Sequence, residues 1–207
     1  MFLNIRVTGP AGLGINSTSD IITNIFAHLG YHIITDIEYE SRIKWWVNYF
    51  DVSVSDNGSK FLTKKVDLLL AFNAESLEKQ LSSLKENTTI IVNKKWISKL
   101  EEKWINLSSF NLLTPEIDDK YDNTYLLAVM AKFMGIEIDI IEEKLEEVFA
   151  KKWEIVVNMN KTIVKNIFKN FSIEKLFEYK IIDRKQEKEI NYWNKAIIDW
   201  ATDSGLE

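Results

Sequence analysis

The sequence predicts an α/β domain of three layers: a mostly parallel sheet between helices, followed by a C-terminal helical segment. Three observations lead there. Short apolar segments of strand length alternate with helical periodicity through the first half of the chain. One of them, Val66 to Phe72, is an apolar run broken only at Asp67, the pattern of a strand covered on both faces, and Thr88 to Val92 reads as another buried strand. A glycine-rich turn falls between the first strand and the first helix. Strand and helix alternating at these lengths imply right-handed crossovers and a largely parallel sheet.

The elements follow in order. Asn4 to Thr8 alternates and forms a first strand, and Gly9-Pro10-Ala11-Gly12-Leu13-Gly14 breaks it. Ile15 to Leu29 carries Ile21, Ile22, Ile25, Phe26 and Leu29 on one helical face, with Gly30 as a stop. Tyr31 to Ile37 is a second strand, and Val47 to Val54 a third, ending in the turn Asp56-Asn57-Gly58. Val66 to Phe72 is a strand, Leu77 to Leu84 a helix, and Thr88 to Val92 a strand. After Pro115 three helices are expected: Tyr121 to Met134, Ile138 to Phe149 and Glu154 to Phe168, with Asp139 as N-cap of the middle one, three residues ahead of Glu142. Residues 183–189 are polar and read as a linker, after which apolar spacing resumes from Ile190.

Composition narrows the chemistry. With no cysteine in 207 residues, the chain offers neither a disulfide nor a cysteine-ligated iron–sulfur cluster. The two histidines, His28 and His32, read as a helix-end cation and a strand residue rather than a metal site. A net charge of −5 argues against a general nucleic-acid surface, and the pairs Lys64-Lys65, Lys94-Lys95 and Lys151-Lys152 read as solvated faces, one of which could still meet a phosphate. No apolar run approaches the ~20 residues of a membrane span, and the first residues lack the basic head and apolar middle of a secretory signal, so a cytoplasmic location is expected.

The turn Gly9 to Gly14 has the spacing G-x-x-G-x-G, followed by Asn16, Ser17 and Thr18. Such a Rossmann-like strand–turn–helix junction aims backbone N–H groups at an anion. The spacing is neither the usual dinucleotide fingerprint nor a P-loop, which a Lys-Ser/Thr pair would close. Asp36 or Glu38 stands about where a ribose-binding acid would, ~20 residues on. The bland alternative is that the glycines only permit close helix–strand packing.

Read together, Gly9-Pro10-Ala11-Gly12-Leu13-Gly14-Ile15, Leu29-Gly30-Tyr31-His32, Tyr39-Glu40-Ser41-Arg42-Ile43-Lys44-Trp45-Trp46-Val47-Asn48, Val54-Ser55-Asp56 and Val66 to Asn73 occur in an order and spacing that resemble the γ domain of 2-oxoacid:ferredoxin oxidoreductases. The form resembled is the one fused ahead of the α domain in 2-oxoglutarate-type enzymes. That family opens with G-x-x-G-Q-G-I and continues with Y-x-S-x-x-R-G-G-x-N. Phe149-Ala150-Lys151-Lys152-Trp153-Glu154, with Asn158 and Asn160, is similar to its F-G-K-K-G segment and the helix after it. The resemblance runs from Asn4 to about Phe168 and divides the chain into a γ domain (1–182), a linker (183–189) and the opening of an α domain (190–207).

The departures matter as much. Leu13 stands for Gln, and Lys44 for Arg, keeping charge but losing the planar fork. Trp45, Trp46 and Trp153 stand at family glycines, and Trp193 and Trp200 do so in the tail, which then resembles G-N-x-A-x-x-x-G-A-x-x-x-G; Trp96 and Trp104 complete the seven. Either these five codons are UGA, read as Trp here and as Gly in the source organism, or the chain is a degenerate paralogue.

The resemblance implies a complex that oxidatively decarboxylates a 2-oxoacid to acyl-CoA and passes electrons to ferredoxin. Thiamine diphosphate, Mg²⁺ and the iron–sulfur clusters would be held by the α and β domains or subunits. In this chain it implies contact with coenzyme A through Gly9, Gly12, Gly14, Lys44 and Asn48, packing against the α/β core, and no catalytic residue. Two rivals stay open: a stand-alone NAD(P)-dependent enzyme using the glycine loop and Asp36, and a non-catalytic interaction module with Trp45 and Trp46 as an apolar patch.

Overall fold

The computed structural model describes residues 2–38, 47–57, 64–117, 121–150 and 154–173. The elements run β1 (Phe2–Pro10), α1 (Ile15–His28), β2 (His32–Glu38), β3 (Val47–Ser55), β4 (Val66–Ala71), α2 (Ala74–Gln80), β5 (Leu84–Val92), α3 (Lys95–Glu102), β6 (Asn111–Leu113), α4 (Asp122–Phe133), α5 (Ile138–Phe149) and α6 (Glu154–Asn170). Six strands form one sheet in the order β2-β3-β1-β4-β5-β6. β1, β4, β5 and β6 pair parallel. β3 is antiparallel to both β1 and β2. Five strands therefore share one direction and β3 alone runs against them.

The layers follow from alternation along the strands. Ile5 and Val7 of β1, Phe50, Val52 and Val54 of β3, and Leu68 and Leu70 of β4 face one side. There they meet Ile21, Ile22, Ile25 and Phe26 of α1 and the apolar faces of α4, α5 and α6. On the other side Leu69 and Ala71 of β4, with Ile90 and Val92 of β5, pack against Leu77 of α2 and Leu100 of α3. The apolar runs are thus covered on both faces, as their composition requires.

Over β1 and β3 the second face is polar instead. Arg6, 4% exposed, meets Asp51 fork to fork: Nε donates to Oδ1 and Nη2 to Oδ2, both at 2.6 Å. Its Nη1 donates to Gln80 Oε1 (2.7 Å) and Ser83 Oγ (3.1 Å), and the guanidinium lies 3.8 Å from the centre of the Tyr49 ring. Burial opposes the Arg6 cation, but the hydrogen bonds and charge of Asp51 outweigh it and hold the guanidinium above its usual range. Burial also raises the Asp51 carboxyl, which Arg6 offsets in part. The geometry favours the ionised form, since both carboxyl oxygens accept short bonds from a guanidinium. Burial and a hydrogen bond to Glu38 push the Tyr49 phenol up as well.

Helix ends are set locally. α1 closes in a Schellman motif: Gly30 N–H donates to Ala27 O (3.1 Å) and Tyr31 N–H to Phe26 O (3.0 Å). The Phe26 and Tyr31 rings meet edge to face at 5.7 Å. Asn73 caps α2 by accepting from Ser76 N–H at 2.8 Å.

Four readings of the sequence need correction. The helix placed at Leu77 to Leu84 is α2 from Ala74 to Gln80 with a 3-10 turn at Leu81–Ser83, and β5 already begins at Leu84. Leu77, Leu81 and Leu84 suit a helical stripe, but Leu84 pairs with Val66 in the sheet. Asp139 lies in the first turn of α5; the cap position is Glu137, which makes no side-chain cap bond. The short elements α3 and β6 lie outside the segments expected from pattern. β3 extends one residue further, to Ser55, and Gly58 of the expected turn lies outside the described residues, as do 183–207. Among the described residues no helix is long and apolar enough to cross a membrane. None of their His, Cys, Asp and Glu side chains groups to hold a metal.

Candidate functional site

The site lies where β1 hands over to α1, at the carboxyl edge of the parallel strands. The helix after β1 covers one face of the sheet and the helix after β4 the other, so a switch point falls between β1 and β4. Leu13 N–H donates to Pro10 O at 3.4 Å, closing the turn. Gly14 occupies the cap position of α1 at φ 89°, ψ 21°. Gly14 brings no side-chain cap and no acidic residue stands in the first turn, so the partial positive charge of this helix end has no anionic neighbour from its own first turn. Within α1, the hydroxyls of Thr18, Ser19 and Thr23 donate to the carbonyls of Gly14, Ile15 and Ser19.

The three loop glycines have different surroundings. A Cβ on Gly9 would lie 2.9 Å from Phe72 Cβ, so Gly9 lets β1 pass close to the end of β4; its bare face meets Phe72, not the loop. Gly12 has φ +93° and open space where a side chain would be. Gly14, at φ +89°, faces Asn123 at the start of α4, whose Nδ2 is 3.0 Å from the position of a Cβ. Only a residue without a Cβ holds these two left-handed conformations at no steric cost.

Asn48 completes the arrangement. It lies opposite Gly9 in the β1–β3 register, and its backbone carbonyl accepts from Thr8 Oγ1 at 3.1 Å. Its side chain is 5% exposed, and its buried Oδ1 has no hydrogen-bond partner among the described residues. It lines a pocket of about 110 Å³ with Ala11, Gly12, Ile15 and Asn16. That volume is below the ~300 Å³ at which whole-ligand pockets begin and is on the scale of a single phosphoryl group. A buried amide oxygen without a partner costs about 1–3 kcal/mol unless something else satisfies it. Rotating the amide by half a turn exchanges its oxygen and nitrogen, so the same side chain can accept from a ligand N–H or donate to a ligand oxygen.

Of the expected site residues, Gly12 and Asn48 therefore come together at one pocket. Gly14 shapes the helix end beside it and Gly9 sits beneath. Lys44 lies outside the described residues, as do Trp45, Trp46, Trp153, Trp193 and Trp200. Asn123 and the buried Arg6–Asp51 pair escaped the sequence reading; the signal for the latter was an Arg between the polar alternates Asn4 and Thr8 of the first strand. The dinucleotide reading loses its acid: β3 occupies the place next to β1, so Asp36 on β2 is two strands from the loop, or ~10 Å at usual spacing.

The model of a family described as pyruvate ferredoxin/flavodoxin oxidoreductase matches residues 4–169. Subunit alpha of a 2-oxoacid:ferredoxin oxidoreductase from a Sulfolobus species is 34% identical over 94 residues, which are 45% of this chain and 15% of that protein. A 2-oxoglutarate:ferredoxin oxidoreductase from Magnetococcus marinus, solved with 2-oxoglutarate, coenzyme A and succinyl-CoA bound, superposes at a TM-score of 0.72 and 21% identity, covering 89% of this chain and 33% of that one. The pyruvate oxidoreductase subunit PORC of Thermotoga maritima superposes at 0.65 and 19% identity, over 81% of this chain and 95% of that one. The fold therefore occurs both as a third of a long chain and as nearly a whole subunit.

Proposed function

The chain belongs to the pyruvate ferredoxin/flavodoxin oxidoreductase family, and from that premise we propose that it is the γ-type part of a 2-oxoacid:ferredoxin oxidoreductase, holding a phosphate of coenzyme A at the glycine loop. The partner α and β parts would carry out the oxidative decarboxylation and deliver electrons to ferredoxin. The single observation behind the coenzyme A role is the buried amide oxygen of Asn48, without a partner among the described residues, on a side chain that lines one pocket with Gly12 at the start of α1. The Magnetococcus relative, solved with coenzyme A bound, supports that choice of ligand.

In this reading the chain's residues bind and orient. The first-turn N–H groups of α1 take a phosphate oxygen, and open space over Gly12 lets the backbone approach it. Asn48 fixes the rotation of the bound group, and Lys44, four residues ahead in sequence, supplies a cation. Thiamine diphosphate and Mg²⁺ would supply carbanion chemistry from the partner parts, and iron–sulfur clusters need cysteines that this sequence lacks.

The test is calorimetric titration of the assembled complex with coenzyme A, with inorganic pyrophosphate as competitor. Asn48→Ala and Gly12→Val are each expected to weaken coenzyme A at least tenfold, and pyrophosphate should compete. Unchanged affinity in both variants would sink the assignment.

A further inference from the structure

Eight large apolar side chains are exposed among the described residues, and three of them, Ile155 (66%), Val156 (36%) and Met159 (41%), fall at the start of α6. Beside them runs a groove of about 570 Å³ between α4 and α6. Its walls are two ridges: Tyr121, at the cap position of α4, with Tyr125 four residues on, and Ile155, Met159 and Ile163, each four apart on α6. Residues at that spacing share one helix face, and a furrow between two such ridges is the shape that accepts a third helix.

The walls are fixed from within. Thr124 Oγ1 donates to Asn160 Oδ1, Asn160 Nδ2 donates to Val156 O at 2.7 Å, and the Tyr121 hydroxyl contacts Met159 Sδ at 3.5 Å. At the far end Lys132 Nζ donates to the carbonyls of Phe168 (2.7 Å) and Phe171 (2.6 Å). Among the described residues, the one charged residue lining the groove is Glu154. An apolar furrow with an acid at its end suits an apolar segment flanked by a cation.

Its position ties it to the cradle. Asn123, against Gly14, sits between Tyr121 and Tyr125 in sequence. Two residues turn a helix by ~200°, so groove and glycine loop flank opposite sides of the same end of α4. The matched stretch spans 15% of the Sulfolobus relative, and this fold makes up a third of the Magnetococcus chain. Most of such an enzyme lies outside this domain, and a monomer seldom leaves so concentrated an apolar patch bare.

We propose that the α4–α6 groove docks the catalytic remainder of the oxidoreductase, through an apolar helix whose flanking Lys or Arg faces Glu154. Docking there brings the catalytic portion to the edge of the sheet that holds the cradle. The inference rests on the reading of this chain as one part of a larger enzyme.

The experiment co-expresses the full chain with the α and β parts and measures assembly by sedimentation. Ile155→Glu and Met159→Glu place charge in the furrow at exposed positions. Each should weaken assembly at least tenfold while leaving the urea midpoint of the chain within error of wild type. Trp104→Glu, at a residue 93% exposed and far from the groove in sequence, should assemble like wild type. Glu154→Gln should weaken assembly severalfold, less so at high salt. Wild-type assembly by both furrow variants would overturn the docking proposal and leave the coenzyme A reading standing, since that is read separately from Asn48→Ala. Failure of the wild-type chain to assemble at all would overturn both.

Discussion

Replacing Asn48 with Ala separates a residue kept for a ligand from one kept for the fold. In the structure its amide oxygen is buried without a partner among the described residues, a state that costs about 1–3 kcal/mol. Truncation removes that penalty. It also removes a few packed atoms, at a cost of about 1 kcal/mol, moderated because the space joins an existing pocket rather than a sealed void. The carbonyl that accepts from Thr8 is backbone and stays. The net change in unfolding free energy should therefore lie between zero and about 2 kcal/mol on the stabilising side, and shift Tm upward by no more than about 8 °C in a domain of this size. Coenzyme A should lose the hydrogen bond to a charged oxygen, about 1.5–3 kcal/mol, or at least tenfold in affinity. Urea melts with calorimetric titration read both quantities. Destabilisation above about 2 kcal/mol with unchanged coenzyme A binding would refute the reasoning, because it would mean the amide is bonded within the fold.

Arg6→Met and Asp51→Leu should each cost about 3–5 kcal/mol, and the double variant less than either, because each single change strands a buried charge; additive losses in urea melts would show the pair is not coupled. Gly9→Ala should destabilise by about 1–3 kcal/mol through Phe72 without touching coenzyme A binding beyond the loss of folded protein. Gly12→Ala, in open space at φ +93°, should cost about 1–2 kcal/mol of backbone strain and weaken binding; equal effects on binding would contradict the separate roles. The chain alone, given thiamine diphosphate, Mg²⁺, coenzyme A and any electron acceptor, should oxidise no 2-oxoacid in a spectrophotometric assay, and turnover would end the reading of it as a part. Peptide mass spectrometry of native protein should find glycine at 45, 46, 153, 193 and 200; tryptophan there would favour the degenerate paralogue.

The strands were legible where composition alone decides them. Val66 to Phe72 can be comfortable only between two covering layers, and the structure supplies both. Strand order was not legible, because the reversed pairing of β3 with β1 is a long-range contact that leaves no local trace: Val47 to Val54 alternates equally well in either direction. The boundary at Leu84 failed because a leucine at that spacing fits a helix and a strand alike, and only the pairing with Val66 decides. In the site, Gly12 and Asn48 were chosen by resemblance and do meet. Close packing was one reading of the loop glycines, but that Gly9 packs against Phe72 was invisible, since the two are distant in sequence.

The reversal of β3 also explains which chemistry this loop can serve. In a dinucleotide-binding sheet the strand beside β1 runs parallel to it, so its last residue, an acid, reaches the loop and binds a ribose. Here the neighbour is antiparallel, and its first residues, Val47 and Asn48, lie opposite Pro10 and Gly9 at the carboxyl edge. The acids of β2, Asp36 and Glu38, are held a strand further out, where Glu38 is occupied by the Tyr49 hydroxyl. A neutral amide thus stands where a carboxylate would repel a phosphate. Asn48→Asp should accordingly weaken pyrophosphate more than Asn48→Ala does, and a titration in which the two variants bind alike would mean that the anion does not sit beside this residue.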